Sequence, residues 1–143
     1  LRNRFTVGQS AGFDVSSFNL LADRRVLQVE LNNIDYTPLA EPFLALEVAF
    51  DEHLELLGES ESTFQVTESG RFDGYVVWYE LLLGGDVVLS TAPSNSITHW
   101  KQGFLPEWGP VKSMKAGACH SVSCAYRRYL LWLETGDSSP ATL

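Results

Sequence analysis

The 143 residues include 45% hydrophobic side chains, enough for one domain with a buried core and too few for two full domains. A formal net charge of -8 argues against a nucleic-acid surface, since neutralising phosphates needs a basic face, and it favours a cationic partner drawn in by the field. No stretch approaches the roughly 20 uninterrupted apolar residues of a membrane-spanning helix, because the longest run, Tyr75 to Leu83, is broken by Glu80, so the sequence reads as soluble, with no membrane partner.

The chain begins Leu1-Arg2-Asn3-Arg4-Phe5, without Met and without the apolar centre of a secretory signal, which reads as a fragment or a processed start. Gly8 and Gly12 bracket a polar stretch ahead of Phe13-Asp14-Val15-Ser16-Ser17. There Asp14, Ser16 and Ser17 predict a turn or a short helix, continued by Leu20 to Arg25. From Pro42 the period becomes two: Phe43, Ala45 and Glu47 alternate with Leu44, Leu46 and Val48 up to Phe50, which predicts a strand. The acidic and polar residues Asp51 to Ser62 read as a solvated loop or hairpin, broken at Gly58.

Thr63 to Thr67 alternates again, Ser69-Gly70-Arg71 reads as a turn or bulge, and Phe72 to Leu83 reads as one aromatic and β-branched strand, apolar on both faces and so suited to a central position. Gly84-Gly85-Asp86 predicts a tight turn that pairs this strand antiparallel with Val87 to Thr91. Pro93 to Ser96 is a loop, followed by Thr98-His99-Trp100-Lys101-Gln102 in a connection between strands, then Gly103-Phe104-Leu105 and the breakers Pro106, Gly109 and Pro110. Two closing strands are predicted around Cys119 to Tyr126 and Tyr129 to Glu134, before the polar tail.

Short strands with turn residues between them define a mainly β chain, an antiparallel barrel or sandwich with at most short helical segments. The organisation reads as an entry segment over 1–19, a β-barrel domain over 20–136 and a flexible tail over 137–143.

Several chemistries drop out. Leu83-Gly84-Gly85-Asp86 lies between two predicted strands and is better explained as a hairpin turn than as a phosphate loop. His53, His99 and His120 lack metal-ligand spacing, and no nucleophile-elbow sequence supports a hydrolytic triad. Cys119 and Cys124 are five residues apart, which puts them on opposite faces of one strand, so buried free thiols in a reducing compartment are expected rather than a disulfide. What remains is His99 beside Trp100: an imidazole that trades a proton or holds a hydrogen bond, next to an indole that walls a pocket and faces a cation.

The order of segments around that pair resembles the C-terminal barrel of the protein arginine methyltransferases. Gly74-Tyr75-Val76-Val77-Trp78-Tyr79 stands where that family has its aromatic strand, Val88-Leu89-Ser90-Thr91-Ala92-Pro93 follows, and Thr98-His99-Trp100 with Lys101-Gln102 is similar to the family's Thr-His-Trp loop. Gly12-Phe13-Asp14-Val15-Ser16 is similar to its Gly-Phe-Asp-Met-Ser segment, upstream of the loop. The resemblance covers about Gly12 to Gly117, and Gly103 departs from it, standing where a bulkier β-former is usual.

The resemblance implies a two-part enzyme in which a separate domain binds S-adenosylmethionine and carries paired glutamates, while the barrel closes the arginine pocket. It implies that Thr98 shapes the loop, that His99 organises the catalytic site through an acidic residue of the other domain, and that Trp100 walls the substrate pocket. The expected partners are Arg-rich protein substrates, the cofactor domain and a second copy or repeat in a dimer or pseudo-dimer, in the cytoplasm and nucleus. Alone, the chain is expected to be inactive. Asp51, Glu52, Glu55, Glu59 and Glu61 form a candidate steering patch for basic tails. A non-catalytic β-sandwich that binds a basic partner is the rival reading, and a ligand-binding barrel with Trp78, Tyr79 and Trp100 in its interior is a third.

Overall fold

A computed structural model describes residues 6–21, 26–50, 57–95, 100–107, 111–127 and 130–136. The described strands, in chain order, are β1 (Gln9–Ser10), β2 (Phe13–Asp14), β3 (Leu27–Val29), β4 (Leu57–Gln65), β5 (Gly70–Phe72), β6 (Gly74–Val77), β7 (Glu80–Leu82), β8 (Val88–Ser90), β9 (Gln102–Pro106), β10 (Lys112–Met114), β11 (Cys119–Arg127) and β12 (Leu130–Thr135). The described helical segments are two short 3₁₀ turns, Ser16–Leu21 and Leu31–Asn33. The pairings are antiparallel throughout, so the mainly β antiparallel reading holds. The chain forms two compact units, one from residues 1–36 and 73–109, the other from 37–72 and 110–143.

The first unit opens with a two-residue hairpin. Ala11 and Gly12 both take positive φ, 50° and 84°, the geometry that matches the right-handed twist of the flanking strands, and Ser10 pairs with Phe13. The Asp14 carboxylate then accepts the Ser16 N–H at 2.9 Å, starting the 3₁₀ turn expected from the sequence. That bond, the largest of the causes, holds the Asp14 carboxyl below the usual carboxylate range. Asn19 clips the turn in place, donating from Nδ2 to the Val7 carbonyl at 2.8 Å and accepting the Val7 N–H at 2.9 Å.

The sheet of this unit runs β3-β9-β6, with β9 in the centre. Two sequence expectations change here. The run Phe72 to Leu83 is not one central strand: it divides into β5, β6 and β7. Gly74, at φ 143°, marks the first division, where an added Cβ would meet the Leu105 carbonyl oxygen at 2.2 Å. The central strand is instead β9, which includes Pro106, read from the sequence as a breaker, and Gly103. Gly103 is required there because Val26 and Val77 close over it: a Cβ would lie 2.4 Å from Val26 Cγ1 and 2.7 Å from Val77 Cγ2. Pro106 ends the strand, where a missing N–H costs least. Phe104 is fully buried and packs with Val29 and Leu31, backed by Ile34 and Val76. The β7–β8 hairpin forms as expected, Gly84 and Gly85 supplying φ of 92° and 58°.

The second unit holds the sheet β12-β11-β4 and the pair β10-β5. The closing strands lie within two residues of their expected bounds, and β11 pairs with β4 from Cys119↔Gln65 to Arg127↔Leu57. Its buried face carries Phe64, Val122 and Cys124. Phe43 stacks on Phe64 with ring centroids 5.1 Å apart, and His120 lies on Phe64 at 5.7 Å. Both cysteines are free thiols on β11, Cys119 half-buried and Cys124 buried, and burial pushes the Cys124 thiol up.

Two further expectations are corrected in this unit. Phe43 to Phe50 alternates but belongs to no strand, and the carbonyls of Leu44 and Ala45 accept the hydroxyls of Ser62 and Ser60, the former at 2.7 Å. Side chains tie this segment to β4 where a backbone ladder was expected. The supposed acidic loop is, from Leu57 onward, strand β4, with Glu59 and Glu61 exposed and Ser60 and Ser62 half-buried. Asp51, Glu52 and Glu55 lie outside the described residues.

Candidate functional site

The connection from β8 to β9 carries the residues singled out in the sequence. Thr98 and His99 lie outside the described residues, whereas Trp100, Lys101 and the whole base of the connection are described. Trp100 is 43% exposed and lies against Tyr79, also 43% exposed, with ring centroids 6.0 Å apart and planes tilted by 50°. Such a tilted pair contributes about 0.5–1.5 kcal/mol beyond simple burial. Of the three aromatics that the ligand-binding-barrel reading placed in an interior, Tyr79 and Trp100 are exposed and Trp78 is half-buried.

Both ends of the connection are tied by buried polar groups. Thr91, fully buried, donates its N–H to the Tyr79 carbonyl at 3.0 Å. The Thr91 hydroxyl accepts the Tyr79 N–H at 3.1 Å and lies 3.3 Å from the Tyr79 carbonyl. Gln102, 9% exposed, donates from Nε2 to the Thr91 carbonyl at 3.0 Å, and its Oε1 accepts the Leu31 N–H at 3.5 Å. One amide side chain therefore links the exit of β8, the start of β9 and the 3₁₀ turn after β3. Between Trp100 and Gln102, Lys101 pairs with Glu30 at 3.0 Å, and this ammonium is the largest cause holding the Glu30 carboxyl below its usual range.

The leading part of the connection is folded locally. Asn95 donates its N–H to the Ala92 carbonyl at 2.9 Å and its side-chain amide to the Ser90 carbonyl at 2.9 Å, while the Ser90 hydroxyl donates to Glu80 at 3.1 Å. The connection thus holds an indole against Tyr79 beside a base tied by buried hydrogen bonds. Tyr79, Thr91, Gln102 and Glu30 were not legible as its supports, because Leu31 and Gln102 are 71 residues apart in sequence and neither residue type marks such a bond. Among the described residues no group of three His, Cys, Asp or Glu could hold a metal ion.

The comparisons give the class of the chain: residues 4–123 match the model described as the arginine methyltransferase oligomerization subdomain. The chain belongs to this arginine methyltransferase family. It is 33% identical over 125 residues, 87% of its length and 34% of the relative's, to an arginine N(omega)-methyltransferase of Streptomyces achromogenes subsp. streptozoticus. It is also 33% identical over 76 residues, 50% of its length and 9% of the relative's, to protein arginine N-methyltransferase 9 of Xenopus laevis. The chain thus spans about a third of the length of the first of these relatives. No solved structure matches.

Proposed function

We propose that this chain is the substrate-side domain of an S-adenosylmethionine-dependent arginine N-methyltransferase and that its Thr98-His99-Trp100 loop closes the arginine pocket. The observation that carries this reading is Trp100, half-exposed against Tyr79 in a connection whose ends are pinned, within a stretch matched by the arginine methyltransferase model. An indole so placed packs against a planar guanidinium and fixes which nitrogen faces the donor. Thr98 sets the shape of the loop, and His99 organises the site through an acidic group of the partner domain. The acceptor is arginine in Arg-rich proteins, acting in the cytoplasm and nucleus, and the complete enzyme works as a dimer or pseudo-dimer.

When bound by the other domain, S-adenosylmethionine supplies the methyl group from its sulfonium. The Gly84-Gly85 pair is the β7–β8 turn and opens no helix, which supports assigning the cofactor to the other domain. On this reading the chain alone is inactive, and its contribution to the reaction is to orient the acceptor.

The test joins the chain to the cofactor-binding part of the Streptomyces relative and measures transfer of labelled methyl to an Arg-rich peptide and to free arginine. Transfer to the peptide, lowered at least about tenfold by Trp100→Ala, is expected for an indole that orients the acceptor. Undiminished transfer in Trp100→Ala overturns the role given to Trp100, and transfer to free arginine alone overturns the protein-substrate reading.

A further inference from the structure

The exposed face of the β12-β11-β4 sheet is built as a trough. Register places Glu61, Ser123 and Glu134 in one row across the three strands and Glu59, Ala125 and Trp132 in the next. Side chains of one parity share a face, so these six stand together on the side opposite Phe64, Val122 and Cys124. Ser123 and Ala125, both small, form the floor. Glu59 and Glu61 form one wall, Trp132 and Glu134 the other, and two interstrand spacings separate the walls by roughly 9–10 Å.

This composition is not that of an idle solvent face. Trp132 leaves 39% of its surface exposed midway along the edge strand β12, on a solvent-facing row where a polar residue is the ordinary choice. Three carboxylates crowd the same two rows, and among the described residues none forms an ion pair. Arg127, one row further along β11 on the same face, is the nearest described cation by register and also makes no ion pair. Like charges on one sheet face repel, and a cation entering the trough relieves that repulsion. The width admits one extended side chain, and an aromatic wall opposite a carboxylate wall suits a cation that is flat: a guanidinium stacks on the indole while its edge meets the carboxylates.

The geometry points to this trough, built on the compact unit that does not carry Trp100, as a docking site for an arginine-bearing polypeptide segment. Trp132 stacks on a guanidinium, and Glu59, Glu61 and Glu134 supply the opposing charge. The inference deepens the protein-substrate reading of the proposed function: a docking trough has a use when the acceptor arginine is carried on a chain with other arginines. Of the acidic run from Asp51 to Glu61 noted in the sequence, Glu59 and Glu61 take part, and Asp51, Glu52 and Glu55 lie outside the described residues.

The test titrates the whole chain with a synthetic peptide of three arginines spaced by glycine and serine, and with the same peptide carrying citrulline, a neutral near-isostere, or lysine. Binding is read by calorimetry and by the NMR line of 5-fluorotryptophan at position 132, assigned with Trp132→Phe. Expected results are saturable binding of the arginine peptide with a shift of that line, and binding at least about fivefold weaker for Trp132→Ala and for Glu59→Gln/Glu61→Gln/Glu134→Gln. Citrulline and lysine peptides bind more weakly by a similar factor. Both variants alter exposed side chains, and their thermal transitions report that the fold is intact.

Native-like binding by either folded variant overturns the inference, as does equal binding of the citrulline or lysine peptide or no binding of the arginine peptide at all. A variant that loses its thermal transition is replaced by Trp132→Phe, which is expected to keep part of the affinity; full loss with the ring retained also counts against the trough. Trp100→Ala, the variant that tests the proposed function, leaves this titration unchanged, so failure of one reading is distinguishable from failure of the other.

Discussion

Replacing Gln102 by Leu tests whether the buried amide holds the base of the Trp100 connection. Leucine keeps nearly the same volume, so the cavity contribution is small, and the change removes a donor from the Thr91 carbonyl, bonded at 3.0 Å, and an acceptor from the Leu31 N–H, at 3.5 Å. Thr91 is fully buried and Gln102 nearly so. A buried carbonyl stripped of its partner costs about 1–3 kcal/mol, and the long bond to Leu31 adds little. A total near 2 kcal/mol lowers the melting temperature by roughly 4–8 °C in a chain of this size. Urea unfolding followed by circular dichroism measures the loss directly. Thr91→Val, which deprives the Tyr79 N–H of its acceptor, is expected to cost about 1–2 kcal/mol, and the double variant should show coupling of at least about 0.5 kcal/mol because both changes act on one node. A 5-fluorotryptophan label at position 100, assigned with Trp100→Phe, should broaden or shift in Gln102→Leu. If Gln102→Leu unfolds within about 0.5 kcal/mol of the native chain and the Trp100 line does not move, the amide does not pin the connection.

Gly103→Ala pushes a Cβ into the tips of Val26 and Val77, both stiff β-branched side chains, and should cost about 1–3 kcal/mol, with Val77→Ala restoring part of the loss; an increase in the urea midpoint, as β propensity alone would give, refutes the close approach. The Glu30–Lys101 pair gives a pH signature. Its carboxyl titrates lower in the folded chain than in the unfolded one, so its contribution is present above the unfolded value, about 4.3, and is lost as pH falls through the lower folded value. The difference in urea midpoint between the native chain and Lys101→Met should accordingly be flat above about pH 5.5, vanish on acidification and shrink in 1 M salt. A difference constant from about pH 3 to 7 contradicts the assignment.

How much of this was legible depended on whether a residue's own chemistry dictated its conformation. Gly84-Gly85 demanded positive φ and gave away the β7–β8 hairpin, and the alternation of β11 and β12 placed them within two residues of their bounds. The Asp14 to Ser17 signals likewise marked a real turn. The continuous apolar run from Phe72 could not show its division, because nothing in the run distinguishes Gly74 at a close backbone approach from glycine in an ordinary strand. β9 was hidden for the opposite reason: Pro106 read as a breaker and Gly103 is a poor strand former, while what makes them acceptable, Val26 and Val77 over the glycine and the strand end at the proline, is set by tertiary packing. β4 was obscured by Glu, Ser and Gly, poor strand formers that β11 nevertheless pairs along the full length. Strands of two or three residues, such as β1, β2, β3 and β10, are too short to leave a period. At the site, the aromatic was visible and its supports were not, since hydrogen bonds across 71 residues have no local trace.

The bond between Gln102 and the Thr91 carbonyl has a consequence for how such a chain can diversify. It joins the two ends of the stretch from Ala92 to Lys101, so the closure of that stretch at its base rests on Thr91 and Gln102 and not on the residues between them. Doubling the length of a flexible excursion with fixed ends costs only about 0.6 kcal/mol. Insertions and replacements between the two anchors are therefore expected to leave the strand register untouched, so that the stretch can vary as a cassette on a constant frame while the sheet beneath stays the same.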